Sequence, residues 1–213
     1  MTEGIVFDLD GTLVNSLSIS FESFNFAMKH FGARSHSAEE IIGYGDYSRM
    51  FSDTFGVALG PQAYELCLNH FQENLNQVPL HQGAGELLEN LKSAGVPIAI
   101  FTGRPWDSTE VILKHHGLMD RFITVVAADH VGHPKPSPEG LHLALKRMNL
   151  TPARALMVGD SHMDMQAARM AGAHGVACLW DILASREVLE RHDPAHWAEK
   201  PSDVWNIWLR FSE

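Results

Sequence analysis

The chain has 213 residues, enough for one large domain or for a core domain that carries a smaller one. Its 45% hydrophobic and 20% charged content is an ordinary globular balance and excludes a disordered chain. A formal net charge of −10 argues against nucleic acid or an anionic membrane as a standing partner, although a locally positive site still takes an anion.

In chain order, Ile5–Phe7 is a short apolar strand that ends in Asp8-Leu-Asp10-Gly-Thr12. The stretch Asn15–Pro79 is far longer than a crossover needs. It shows helical patterns at Leu17–Phe31, Ser37–Ile42, Tyr47–Phe55 and Pro61–Val78 and no clear strand. It reads as a small helical insertion, with hinge segments near Val14–Ser18 and Val78–Gly83. Gly83–Gly95 is an ordinary crossover helix. Then strands and helices alternate: Pro97–Phe101, Trp106–His116, Phe122–Ala127, Pro138–Met148, Ala155–Val158, Met163–Ala171 and Gly175–Leu179. Short apolar strands alternating with helices indicate βα units and a parallel sheet covered on both faces. Asp107-Ser-Thr-Glu110 is expected to form a capping box, and Ser137 with Pro138 an N-cap and first-position proline. Gly95, Gly117 and Gly172 punctuate helix ends. The tail Asp193–Glu213 is expected to add a short strand and a helix at the sheet edge. The expected organisation is a core of residues 1–14 and 83–213 and a helical cap of residues 15–82.

The start, MTEGIVFDLDG, places acids where a signal peptide needs a basic start and an apolar run. No apolar stretch approaches ~18 residues, so no membrane span is expected. Cys67 and Cys178 lie far apart without metal-ligand spacing and fit core positions in a reducing cytoplasm. The 13 histidines are scattered, and adjacent His115 and His116 cannot face one ion from a helix, so no histidine metal site is read.

Ligands of parallel α/β sheets bind at the carboxyl ends of the strands. Here the expected strands lead in turn to Asp8 and Asp10, to Thr102-Gly103-Arg104, to Asp129 with His133-Pro-Lys135-Pro, and to Gly159-Asp160-Ser161-His-Met-Asp164. Carboxylates gather where a divalent cation would neutralise them and where an anionic substrate would meet that cation. Asp164, four residues after Asp160, shares a face with it if the helix begins there, and reads otherwise as a first-turn helix acid. Ser161 reads as the cap of that helix or as a contact to Asp160, with the cap favoured.

DLDGTLV, the TGR after a strand, the PKP lysine and GDSHMD resemble, in order and spacing, the four motifs of the haloacid dehalogenase superfamily. The resemblance runs from residue 4 to about 180. Within that superfamily the layout is similar to phosphoglycolate phosphatase-like enzymes with a first-type helical cap. It implies a Rossmann-like three-layer α/β/α core and a Mg²⁺-dependent phosphatase of a small phosphorylated metabolite. Asp8 is then the nucleophile that forms an aspartyl-phosphate, and Asp10 the acid and base. Asp8, the Asp10 backbone carbonyl and Asp160 hold the metal, with Asp164 behind them. Lys135, Thr102 and the Gly103 N–H bind the phosphate. An acid at position 10 favours oxygen–phosphorus chemistry over dehalogenation, because a halide leaves without a proton.

In the insertion, Tyr44 and Arg49 are the candidates for substrate contact, Arg49 as a bidentate partner for a carboxylate or as a solvated helix residue. Lys29 is the insertion's only lysine and has no reason to be in the site. Asn15 stands where relatives commonly carry aspartate. The same motifs also suit a β-phosphoglucomutase-like phosphomutase, a pyrophosphatase or a non-enzymatic sensor of a phospho-ligand. The cap is expected to close over substrate and then reopen, and the chain to be a monomer or homodimer.

Overall fold

The computed structural model describes residues 3–44 and 47–212. Contacts divide the chain into two compact units, one running to Asn15 and resuming at Pro79, the other Ser16–Val78. Residues 79–82 thus belong to the core unit and not to the insertion. The reason is local: Asn15 donates its N–H to the Pro79 carbonyl (2.9 Å) and His81 donates to Leu13 (2.9 Å). Val14 and Leu80 form an antiparallel bridge between these bonds. The outgoing and returning segments are therefore zipped together inside the core unit.

The core unit holds six parallel strands. They are β1 (Gly4–Phe7), β2 (Ile98–Phe101), β3 (Thr124–Val126), β4 (Ala155–Gly159), β5 (His174–Cys178) and β6 (His196–Ala198). Their order in the sheet is β3-β2-β1-β4-β5-β6. Every residue of β1, β2 and β4 is buried, which is why these strands read as continuous apolar runs. Chain progression reverses at β1: β2 and β3 are added on one side, β4 to β6 on the other. That is a topological switch point, where an open α/β sheet leaves a crevice outside its strand ends.

The insertion contains α1 (Leu17–His30), α2 (Ala38–Tyr44) and α3 (Tyr47–Glu73). The two helical patterns expected at Tyr47–Phe55 and Pro61–Val78 are two helical segments of α3 that meet at a kink at Gly56, whose φ of 76° and ψ of 175° leave the helical region; the second begins before Pro61 and ends at Glu73. Phe24, Met28, Ile41, Phe51 and Cys67 make this unit's own apolar core. The core unit adds α4 (Ala84–Ser93), α5 (Trp106–His115), α6 (Glu139–Met148), α7 (His162–Ala171), α8 (Arg186–Glu190) and α9 (Pro201–Phe211). Right-handed crossovers put α4 and α5 on one face of the sheet and α6 and α7 on the other. The α6–α7 face packs on Val6, Phe101, Val126 and Met157. Gly140 lets α6 approach the sheet, since a Cβ there would overlap the Phe101 ring.

Gly95, Gly117 and Gly172 end their helices with φ of 67°, 64° and 78°, as the sequence implied. The tail supplies β6 and α9 at the sheet edge. The capping box expected at Asp107–Glu110 does not form. The helix begins earlier, at Trp106, whose N–H donates to Asp129 Oδ1 (2.8 Å), while Asp107 accepts from Ser108 (2.6 Å). Likewise α6 starts one residue after the expected Pro138, and the Ser137 hydroxyl accepts from Glu139 N–H (3.3 Å). Among the described residues no helix is long and apolar enough to cross a membrane.

Candidate active site

The site is built at the carboxyl ends of β1, β2 and β4. Asp8 directly follows β1, and its N–H donates to the Val158 carbonyl (2.8 Å), so the β-ladder itself fixes where its side chain leaves the sheet. The chain then turns sharply. Leu13 and Val14 both donate to the Leu9 carbonyl (2.9 and 3.0 Å), and Gly11 takes φ 75°. A glycine is required twice over there, because a Cβ would also run into the Asp160 carboxylate. Thr12, fully buried, donates its hydroxyl to Asp160 Oδ1 (3.1 Å).

Asp164 lies at the third position of α7, and Asp160 precedes the helix instead of opening it. Ser161 caps α7 as expected, in a reciprocal capping box. Its hydroxyl accepts from Asp164 N–H (3.4 Å), and Asp164 Oδ2 accepts from the Ser161 N–H (3.1 Å) and hydroxyl (2.6 Å). The other oxygen, Oδ1, accepts from Lys135 Nζ (2.5 Å). Asp164 is fully buried with both oxygens engaged, which suits a group that holds Lys135 and the helix start in place.

Lys135 also donates to Asp8 Oδ1 (2.6 Å) and lies 4.9 Å from the centre of the Phe101 ring. Its loop is anchored from α6. Glu139 accepts the N–H groups of Gly132 (2.9 Å) and His133 (3.1 Å), so the acid that opens α6 positions the lysine's loop. The sequence alone does not single out Glu139. Thr102 is almost fully buried; its hydroxyl accepts from Arg104 N–H (3.1 Å) and keeps its proton for another acceptor. Gly103 lies between them, and nothing would obstruct a Cβ there.

Asp10 brings the largest addition to the expected site. Arg104 donates to both its oxygens: Nε to Oδ2 (3.0 Å) and Oδ1 (3.2 Å), and Nη2 to Oδ1 (2.7 Å). Two further groups are absent from the sequence-based expectation. Trp180 Nε1 donates to the Thr12 carbonyl (2.9 Å), and buried Asp181 lies 3.4 Å from His81 Nε2. Both come after β5, so the strand-end rule that found the other carboxylates also points to Asp181.

Asp8, Asp160 and Asp164 offer oxygens within 4.8 Å of one another. With Asp10 they make four carboxylates held by two cations, Lys135 and Arg104, leaving the cluster two charges short. The electrostatics show this shortage. Burial pushes the Asp8 carboxyl up to about 7, against the pull of Lys135, and the Asp164 and Asp10 charges add to the rise. Burial, then the charges of Asp8, Asp164 and Asp181, hold Asp160 well above the carboxylate range. For Lys135 burial works the other way, but the Asp164 and Asp8 charges outweigh it and keep the ammonium protonated. A hard divalent cation fits this donor set of buried and half-buried oxygens and would supply the missing charge.

Tyr44 and Arg49 lie in the insertion and converge on Asp53. The Tyr44 hydroxyl donates to Asp53 Oδ2, and Arg49 Nε lies 3.6 Å from the same oxygen. Lys29 is exposed in the last turn of α1.

Gly159 makes the cluster possible, because a Cβ there would overlap the Asp164 carboxylate. Gly159→Ala is expected to cost about 1–3 kcal/mol, a melting temperature lower by about 2–12 °C in a thermal melt.

The profile of the Haloacid dehalogenase-like hydrolase family matches residues 5–178. Pyrophosphatase PpaX of Bacillus mycoides is 32% identical over 98% of this chain and 97% of its own length. Pyrophosphatase PpaX of Bacillus velezensis is 31% identical over 95% and 94%. Among solved structures, one described as a predicted phosphoglycolate phosphatase from Haemophilus somnus superimposes with a TM-score of 0.86 at 26% identity, covering 97% of this chain and 98% of that one.

Proposed function

The chain belongs to the haloacid dehalogenase-like hydrolases, and from that membership we propose that it is a Mg²⁺-dependent phosphatase of a small phosphorylated metabolite, acting through an aspartyl-phosphate on Asp8. The observation that carries this reading is the convergence on Lys135: one buried ammonium bridges Asp8 and Asp164 beside Asp160, in a cluster short of positive charge.

Asp8 attacks phosphorus, and the ester oxygen leaves on the opposite side with a proton from Asp10. Asp10, now a carboxylate, takes a proton from the water that cleaves the aspartyl-phosphate. Lys135, the Thr102 hydroxyl and the Gly103 N–H bind phosphate oxygens, so charge on the transferring group meets donors already in place. Asp8, the Asp10 carbonyl and Asp160 would hold Mg²⁺, which would supply charge neutralisation between a carboxylate and an incoming phosphate dianion. The pyrophosphatases among its relatives and the fold neighbour described as a predicted phosphoglycolate phosphatase make pyrophosphate and phosphoglycolate the first substrates to try.

The test is phosphate release from phosphoglycolate, pyrophosphate, sugar phosphates and nucleotides, with Mg²⁺ and with chelator. Multiple-turnover release that needs Mg²⁺ supports the reading. Release of less than one phosphate per chain, with transfer only in the presence of a sugar bisphosphate, sinks it in favour of a mutase. The metal has a separate readout. Saturating Mg²⁺, at about 100 times its Kd, is expected to add ~2.7 kcal/mol and raise the melting temperature by about 5–11 °C. Asp160→Asn is expected to abolish that rise.

A further inference from the structure

We propose that Arg104 is a specificity residue that selects substrates whose leaving group is itself an anion, a carboxylate or a second phosphate. This rests on the phosphatase reading above and deepens it.

An acid that protonates a leaving oxygen must lie within hydrogen-bond reach of it. Asp10 is that acid, and its carboxylate takes three hydrogen bonds from the Arg104 guanidinium, between 2.7 and 3.2 Å. The guanidinium is therefore beside the leaving group, on the side of the phosphate away from Asp8. Its backbone is fixed from three directions. The Arg104 N–H donates to Thr102 Oγ1, and the Arg104 carbonyl accepts from Ala128 N–H (3.0 Å) and from the Thr109 hydroxyl (3.5 Å). Neighbouring Trp106 is tied to Asp129. A donor fork on so fixed a base is a built recognition element and not a solvated surface arginine; the side chain is only 12% exposed.

The chemistry of exchange gives the selectivity. Both Asp10 oxygens are engaged by the guanidinium, so an incoming leaving oxygen competes with Arg104 for that carboxylate. A leaving group that carries its own carboxylate or phosphate offers the guanidinium planar, bidentate acceptors in return. A neutral alcohol offers none, so it competes for Asp10 and gives the guanidinium nothing in exchange. Once the incoming anion draws the guanidinium off one Asp10 oxygen, that oxygen takes up a proton from solvent; the Asp8 oxygen then forms a bond to phosphorus, the bond from phosphorus to the leaving oxygen breaks, and the Asp10 proton passes to that oxygen. The departing species keeps its second anionic group on Arg104 throughout.

The test compares the parent, Arg104→Gln and Arg104→Lys on phosphoglycolate and pyrophosphate, and on 2-hydroxyethyl phosphate, the neutral analogue of phosphoglycolate. Arg104→Gln is expected to lower kcat/KM about 10- to 100-fold for the two anionic-leaving-group substrates, mostly through KM. The neutral analogue should lose at least about 5-fold less than the two anionic substrates, its own loss being the guanidinium's support of Asp10, and Arg104→Lys should fall between. The ratio of phosphoglycolate to pyrophosphate loss tells which anion the fork fits better. An equal loss on all three substrates overturns the proposal and makes Arg104 only a support for Asp10.

A binding arm separates this proposal from the phosphatase reading. Phosphoglycolate should raise the melting temperature of Asp8→Asn more than that of Asp8→Asn with Arg104→Gln. If no substrate turns over but this difference is present, the phosphatase reading falls, and with it the leaving-group role, while Arg104 remains a residue that binds the ligand's second anionic group. If the difference is absent, the assignment is overturned whatever the turnover.

Discussion

Asp8→Asn is expected to lower phosphate release by at least about 10³-fold while leaving the fold intact. The substitution keeps shape and keeps an oxygen for Lys135 to bond, but an amide does not open an aspartyl-phosphate route. Stability should move in the opposite direction to activity. Asp8 is 8% exposed and shares its surroundings with the charges of Asp164 and Asp10, and burial is the largest force raising its carboxyl from the ordinary 3.8 to about 7. An acid whose folded pKa lies above its unfolded value favours the protonated native state. Its charge therefore weighs against folding once pH exceeds the unfolded pKa, and the penalty is complete above the folded pKa. In chelator, Asp8→Asn should melt higher than the parent at pH 8, and the gap should shrink towards pH 4. Activity bought with local instability is the usual pattern at a catalytic centre. Parent-like turnover in Asp8→Asn would remove Asp8 as nucleophile. A gap that grows on acidification would remove the electrostatic account.

The parts of the fold that are legible in the sequence are the local ones. β1, β2 and β4 are buried on both faces, so their apolar runs need no partner to be recognised. The strand-end rule then places Asp8, Asp10, Thr102, Lys135 and Asp160 together, because the sheet does the long-range work. Ser161 and Asp164 are legible as a cap because they are three residues apart. The capping box at Asp107 fails for a long-range reason: Asp129, from the loop after β3, takes the N–H of Trp106 and starts the helix sooner. Arg104 is visible as a basic residue just past β2, but its partner lies 94 residues earlier, and nothing local distinguishes it from a solvated arginine. The His81–Asp181 pair and the Trp180 bond to Thr12 join segments far apart in sequence, so side-chain type alone does not reveal them. The kink at Gly56 separates two helical segments, as the two patterns in the sequence imply, but the second starts sooner than the pattern from Pro61.

Lys135→Met should be the most destabilising single change in the site. Lys135 is 4% exposed, and its ammonium is the shared partner of Asp8 (2.6 Å) and Asp164 (2.5 Å). Methionine keeps most of the packing against Phe101 but leaves two carboxylates buried side by side without a cation. A buried ion pair adds little against an apolar replacement of both partners, yet removing one partner alone costs about 3–5 kcal/mol. For a chain of this length that is a melting temperature lower by roughly 6–20 °C in chelator. The cause is separable from packing. Adding Asp164→Asn removes one stranded charge and keeps an oxygen towards Ser161, so the double variant should recover at least half of the loss. Mg²⁺ should also narrow the gap, because it brings charge to the same oxygens. Phosphate release should fall at least about 100-fold, since the lysine binds the transferring group as well as Asp8. A Lys135→Met melt within about 2 °C of the parent would show that the carboxylates shed their charge by protonation without cost, and that the lysine is not what holds the cluster together.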